Sequence, residues 1–446
     1  MLDPSRPRRA VASTRRDGDC TLCTNNPLLH SYIDLAERYI GTITQLAHQQ
    51  DHRRSHPLRR CLLLQPTHQP ESIADSLRMD HLQTLESSPM SGHLDVGVRW
   101  QEITVISPRI PEGVAVIAAR EIPHRADGHR LQTFNIYIPK TPSNAKLVGE
   151  PAKRLPSAHS TNGSPRYHVH VHGGAWRDPL LTARSIEPTV AHAFSANNVT
   201  LDAVVGINYT ISPFPNHPTA PYDPWESNDP TRIKVSKEQR DKAREARHPA
   251  HVRDVLAAFE LLRAFGLRDD GYILSGHSCG ACIAFQTVLQ PPSYWGVFDI
   301  SPAPRPAALI GMNGLYDLPD LVHNLSPSHE HLSETYRDLQ NIAFGAEESV
   351  WTKASPARFA AEGMAIRLKG QMDSIPPVVL VDQSEADQLV PMNQMTRMRQ
   401  RLQDIAGMRV VVGARCVDGH AAPWEQGFMI WDTVCDVLQL IGTSSA

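Results

Sequence analysis

From Gly97 onward, short apolar runs alternate with stretches of helical periodicity. Residues 103–106 and 114–117 predict short strands. Phe134, Ile136 and Ile138 alternate with Asn135 and Tyr137, the two-residue period of a half-buried strand. A linker rich in Pro, Ser and Lys covers 139–165, and strands are predicted over 167–171 and 203–209. A polar excursion with six Pro then runs over 212–247. Residues 251–267 predict an amphipathic helix, because Val252, Val255, Leu256, Phe259 and Leu262 share one face. A strand over 272–274 leads into a helix over 281–289. Three more apolar runs, 307–312, 378–381 and 409–412, precede a closing helix over 428–441. Strands alternating with helices imply crossover connections and a mainly parallel sheet, an α/β fold without internal repeats.

The first 95 residues read differently. Residues 1–16 hold five Arg and two Pro, residues 48–56 are rich in His and Arg, and the first Lys of the chain is Lys140. A largely disordered extension over 1–95, with one short helix over 28–46, is expected ahead of a catalytic domain over 96–446. An Arg-rich start suits a mitochondrial presequence, but Asp3, Asp17 and Asp19 count against one. Without the apolar core of a signal peptide or a run of ~18 apolar residues, a cytoplasmic protein is expected, with no membrane partner.

Composition narrows the function classes. Lys and Arg total 44 against 47 Asp and Glu, a net charge of −3, which argues against a nucleic-acid partner. The apolar share of 41% and the 36 Pro fit a sizeable core with part of the chain outside it. Seven Cys, an odd number in a long chain, fit a reducing compartment rather than a disulfide scaffold.

The sharpest chemical signal is Gly276-His277-Ser278-Cys279-Gly280, between an apolar strand and a helical pattern. G-x-S-x-G in that setting is a nucleophile elbow, a sharp turn that exposes the serine hydroxyl. His172-Gly173-Gly174-Ala175-Trp176 follows another strand, where paired glycines allow backbone N–H groups to face an oxyanion. The N–H of Cys279 is the expected third donor. Serine needs a base, and the base needs an orienting carboxylate. In the order Ser, acid, His, the preferred acid is Asp387, with Asp382 and Glu385 as rivals in the same loop. His420 is the base, since no other His follows His331. Cys279 and Cys282 are expected to pack. Cys20 and Cys23 form a single C-x-x-C, and His48, His52 and His56 have helical spacing with Cys61 following; a solvated tail is expected there rather than a metal site.

These motifs resemble the fungal kynurenine formamidases (arylformamidases) of the α/β-hydrolase fold. Arg177-Asp178-Pro179 after the glycine loop, Ile207-Asn208-Tyr209, Asn216-His217-Pro218, Ala246-Arg247-His248-Pro249 and Asn313-Gly314-Leu315-Tyr316-Asp317-Leu318 extend the resemblance, which covers about residues 130–441. His277, where esterases of the hormone-sensitive-lipase type usually carry Asp, tilts the choice towards it. The resemblance implies hydrolysis of N-formyl-L-kynurenine to L-kynurenine and formate, without metal or organic cofactor. The partner it implies is a small-molecule substrate, and a homodimer is compatible with it. The extension and the long polar stretch 225–245 depart from the family pattern. The runner-up enzyme is a carboxylesterase for short acyl esters; a silent ligand-binding protein of the same fold would lack a member of the triad. Loops 209–226 and 315–336 are expected to hold the amino-acid part of the substrate.

Overall fold

The computed structural model describes residues 97–156, 165–195, 201–225, 235–370 and 375–442; the extension and its candidate metal ligands lie outside them. Among the described residues, nine strands form one sheet: β1 Gln101–Ser107, β2 Ile110–Pro123, β3 Thr133–Pro139, β4 Tyr167–Val171, β5 Ala203–Ile207, β6 Tyr272–His277, β7 Ala308–Met312, β8 Val378–Asp382 and β9 Arg409–Val412. Their order is β1-β2-β3-β5-β4-β6-β7-β8-β9. The pairs from β1 to β5 are antiparallel, and β5-β4-β6-β7-β8-β9 is a parallel block.

Strand alternation divides the apolar side chains between two cores. Val169, Val171, Leu274, Leu309 and Val379 face one layer, with the helices Ala250–Ala264 and Cys279–Leu289. Ile273, Ala308, Ile310 and Leu380 face the other, with the helices Glu187–Ala193 and Phe428–Gly442. Cys279–Leu289 is buried along its whole length; it is apolar apart from Gln286 and Thr287, whose side chains donate to Ala354 O and Ile283 O. The predicted helix over 251–267 ends earlier, at Ala264, and Gly266 takes φ +108° just beyond it, a common way to stop a helix.

The expectation for β3 needs correction. Its alternation predicts a half-buried strand, yet all seven of its residues are buried. The polar members are paired inside: Asn135 Oδ1 accepts from Glu121 N at 2.7 Å, and Tyr137 Oη donates to Glu187 Oε1 at 2.8 Å. Both faces of β3 are covered, so alternation here marks satisfied polar groups rather than solvent. The strand predicted over 114–117 is likewise longer, running from Ile110 to Pro123.

After β4 the chain crosses to β5 on one side and then to β6 on the other. Such a switch point opens a crevice at the carboxyl ends of parallel strands. Val171 is in register with Gly276, so the glycine loop after β4 and the turn after β6 emerge side by side.

Candidate active site

The turn after β6 is built around two close approaches. A Cβ on Gly276 would lie 2.4 Å from Gly280 O, and one on Gly280 would lie 2.2 Å from Val171 O. The glycines are therefore demanded by contact, while Ser278 itself takes the positive φ of 56°. A non-glycine residue held there is strained by about 1–3 kcal/mol. Ser278 N donates to Met312 O at 3.0 Å, which holds the turn to β7. The serine caps the helix Cys279–Leu289, whose amino end favours developing negative charge.

The glycine loop lies against this turn. Gly173 and Gly174 N–H form no hydrogen bond with a described residue. Gly174 takes φ +105°, and Ala175 and Trp176 also have positive φ, so the loop coils tightly. Three contacts hold it: Trp176 N donates to Cys279 Sγ at 3.2 Å, and Tyr209 Oη reaches His172 O at 3.0 Å and Gly173 O at 3.1 Å. Tyr209 Oη also lies 3.4 Å from Cys279 Sγ, which ties the loop to the elbow helix. Burial pushes the Cys279 thiol up to about 11, so it stays protonated at neutral pH; both Cys279 and Cys282 are packed inside.

Of the three candidate acids, Asp387 is the one that meets His420: Oδ2 lies 2.8 Å from Nδ1. Its Oδ1 accepts from Leu389 N and Val390 N, both at 2.8 Å, and Gln383 Nε2 donates to Oδ2 at 2.9 Å. Burial alone would raise the Asp387 pKa, but the charge and hydrogen bond of His420 and the two backbone donors outweigh it, leaving it lowered. Asp382 is used elsewhere, accepting from Arg415 N at 2.8 Å and Cys416 N at 3.3 Å. Glu385 is exposed.

The His420 backbone is also fixed. Its N donates to Gln388 Oε1 at 3.1 Å, and its carbonyl accepts from His277 Nε2 at 2.8 Å and Asn313 Nδ2 at 3.3 Å. Asn313 Oδ1 accepts from Ser384 N at 3.0 Å, so one amide links the loop of Asp387 to the loop of His420. Because a carbonyl only accepts, His277 carries its proton on Nε2. Burial lowers its pKa to about 3, helped by the charge of His420, so it remains neutral.

Ser278, His277, Gly174 and His420 line one pocket. A kynurenine formamidase-like hydrolase of Fusarium equiseti is 28% identical over 309 residues, 68% of this chain and 87% of the relative. A kynurenine formamidase of Aspergillus versicolor is 26% identical over 248 residues, 52% of this chain and 74% of the relative. The chain is an α/β-hydrolase, a distant homologue of the fungal kynurenine formamidases. No protein-family model matches it. Esterase B from Lactobacillus rhamnosis superposes with a TM-score of 0.46 at 13% identity, covering 79% of this chain and 88% of that one. The fold assignment rests on the strand order and the elbow.

The walls of the hydrolase pocket are mostly apolar, including Leu180, Leu181, Leu315, Leu332, Leu339 and Val390. The two loops expected to hold the substrate contribute His217, Pro218, Leu315, Leu332, Thr335 and Tyr336. Sequence reasoning missed Trp424 and Glu425, which line the pocket from the helix Ala422–Gln426. Their position shortly after His420 was the only available signal. Gln383 had none, since its contact is peculiar to one loop; Tyr209 was marked only by its place in Ile207-Asn208-Tyr209, and its clamp joins segments distant in sequence.

Proposed function

We propose that this chain hydrolyses N-formyl-L-kynurenine to L-kynurenine and formate, with Ser278 as nucleophile, His420 as base and Asp387 as its orienting acid. The observation that carries the reading is the 2.8 Å contact between Asp387 Oδ2 and His420 Nδ1 behind a pocket that Ser278 also lines. The carboxylate can only accept, so the proton of neutral His420 sits on Nδ1 and Nε2 keeps a lone pair. The names of the two relatives supply the substrate.

In the first half-reaction, Ser278 Oγ attacks the formyl carbon and His420 Nε2 takes the hydroxyl proton. The negative oxygen is received by the N–H groups of Gly173, Gly174 and Cys279. His420 returns the proton to the arylamine nitrogen, the C–N bond breaks, and a formyl ester remains on Ser278. The aniline lone pair is shared with the ring, which makes this nitrogen a better leaving group than an alkylamine. In the second half-reaction His420 deprotonates water, which attacks the ester. Formate departs as Ser278 recovers its proton.

The test is absorbance-monitored release of L-kynurenine by the full chain, with p-nitrophenyl acetate as a parallel substrate and Ser278→Ala as control. Kynurenine release that disappears in the variant is expected. Ester cleavage without kynurenine release would move the assignment to a short-chain carboxylesterase.

A further inference from the structure

The pocket contains a charge that the hydrolysis does not use. Two acids line it, Asp178 and Glu425. Asp178 is engaged: its Oδ1 accepts from Leu180 N at 2.8 Å and lies 3.5 Å from His217 Nε2. Arg177, the one arginine or lysine among the described lining residues, is also engaged. Its Nη1 lies 2.8 Å from Asp338 Oδ2, and its guanidinium covers the Phe214 ring at 4.0 Å. Glu425 is different. Its half-buried carboxylate has no hydrogen-bond or ion-pair partner among the described residues. Burial accordingly raises its pKa.

Holding an unpaired carboxylate partly out of water costs free energy, and buried charges are ordinarily paired. A substrate pocket that retains such a group is arranged for a cation brought by the ligand. Trp424 lines the same pocket beside it, and an indole suits both an aryl ring and a cation. We propose that Glu425 anchors a positively charged amine on the substrate, so that the preferred substrates are aryl formamides or aryl esters carrying an ammonium group away from the acyl carbon. This inference rests on hydrolysis at Ser278 and narrows the substrate class of that site.

The test compares wild type with Glu425→Gln, which keeps the shape and hydrogen-bonding capacity but removes the charge. One substrate pair is N-formyl-L-kynurenine and its analogue with hydrogen in place of the α-amino group. The other is tyramine O-acetate and 4-ethylphenyl acetate. Wild type is expected to prefer the ammonium member of each pair it cleaves, and E425Q is expected to cut that preference about tenfold through KM, the size of a charge-assisted contact. A preference untouched by E425Q, or none in wild type, overturns the proposal. If neither formamide is cleaved, the formamidase reading falls while the ester pair still decides the role of Glu425. Calorimetry gives a readout independent of turnover. L-kynurenine should bind Ser278→Ala protein about tenfold more tightly than the Ser278→Ala, Glu425→Gln double variant; equal binding, or none, overturns the proposal.

Discussion

Two serines lie three positions apart, Ser275 within β6 and Ser278 just after it, and both have histidines in their neighbourhood: His168 and His170 touch the first, and His277 and His420 line the same pocket as the second. Ser275 is in direct hydrogen-bond contact: its Oγ lies 2.7 Å from His168 Nε2 and 2.7 Å from His170 Nδ1. Yet it is completely buried, its two imidazoles are buried with it, and neither has a carboxylate partner among the described residues. Burial lowers His168 to about 3 and His170 well below the usual range, so neither accepts a proton near neutrality. Ser278 lines an open pocket in a strained turn, and the histidine proposed to serve it is backed by Asp387. Proximity of serine to histidine does not make a nucleophile. Access, a carboxylate to stabilise the imidazolium and donors for the oxyanion do, and the proposed site gathers them where parallel strands end.

The largest effect should separate the two serines outright. Ser278→Ala is expected to lower kcat by about 10⁵-fold or more, whereas Ser275→Ala leaves kcat within a few-fold. Steady-state kinetics on both purified variants decides; a comparable loss at Ser275 would erase the contrast. Asp387→Asn comes next. It should cost about 10⁴-fold in kcat by favouring the wrong His420 tautomer, with a native far-UV spectrum as the control for folding.

Tyr209→Phe sharpens the oxyanion half of the contrast. It removes the hydroxyl that ties His172 O and Gly173 O to the elbow helix while preserving ring volume. A fall of about tenfold in kcat with little change in KM is expected, a fraction of what losing an oxyanion donor outright costs. An unchanged kcat would mean that the loop holds its shape without the clamp.

The smaller effects concern stability on the Ser275 side. Ser275→Ala deprives two buried imidazoles of a partner and should cost about 1–3 kcal/mol in denaturant unfolding. For pH, His168 binds a proton near 6.5 when unfolded but only near 3 when folded. The unfolded chain therefore holds more protons between those values, and this contribution to stability, present above 6.5, is lost as pH falls towards 3. His168→Leu should shift the acid-unfolding midpoint downward; an unmoved midpoint would show that other buried groups control acid unfolding.

The elbow and the glycine loop were legible because their chemistry is local. Each is a short motif at the end of an apolar strand, and the close approaches of Gly276 and Gly280 are made to neighbouring turns and strands that the motif itself implies. The acid was less legible. Asp382 ends β8 and Glu385 and Asp387 follow in the next loop, and their order along the chain does not say which carboxyl points at a histidine 33 residues beyond Asp387. Nor did alternation in β3 reveal that its polar positions are buried and paired.

The sequence by itself determined the strand-and-helix alternation, the two glycine motifs and the short set of candidate residues for acyl transfer. These follow from hydrophobic period and backbone sterics, which act over a few residues. Only the tertiary structure decided that Asp387 reaches His420, that Asp382 instead binds the loop after β9, that Ser275 is sealed inside the sheet, and that Glu425 lines the pocket without a partner among the described residues. Those outcomes depend on which strands become neighbours. A carboxylate or imidazole acquires its role from the charges, donors and solvent that the assembled sheet places around it.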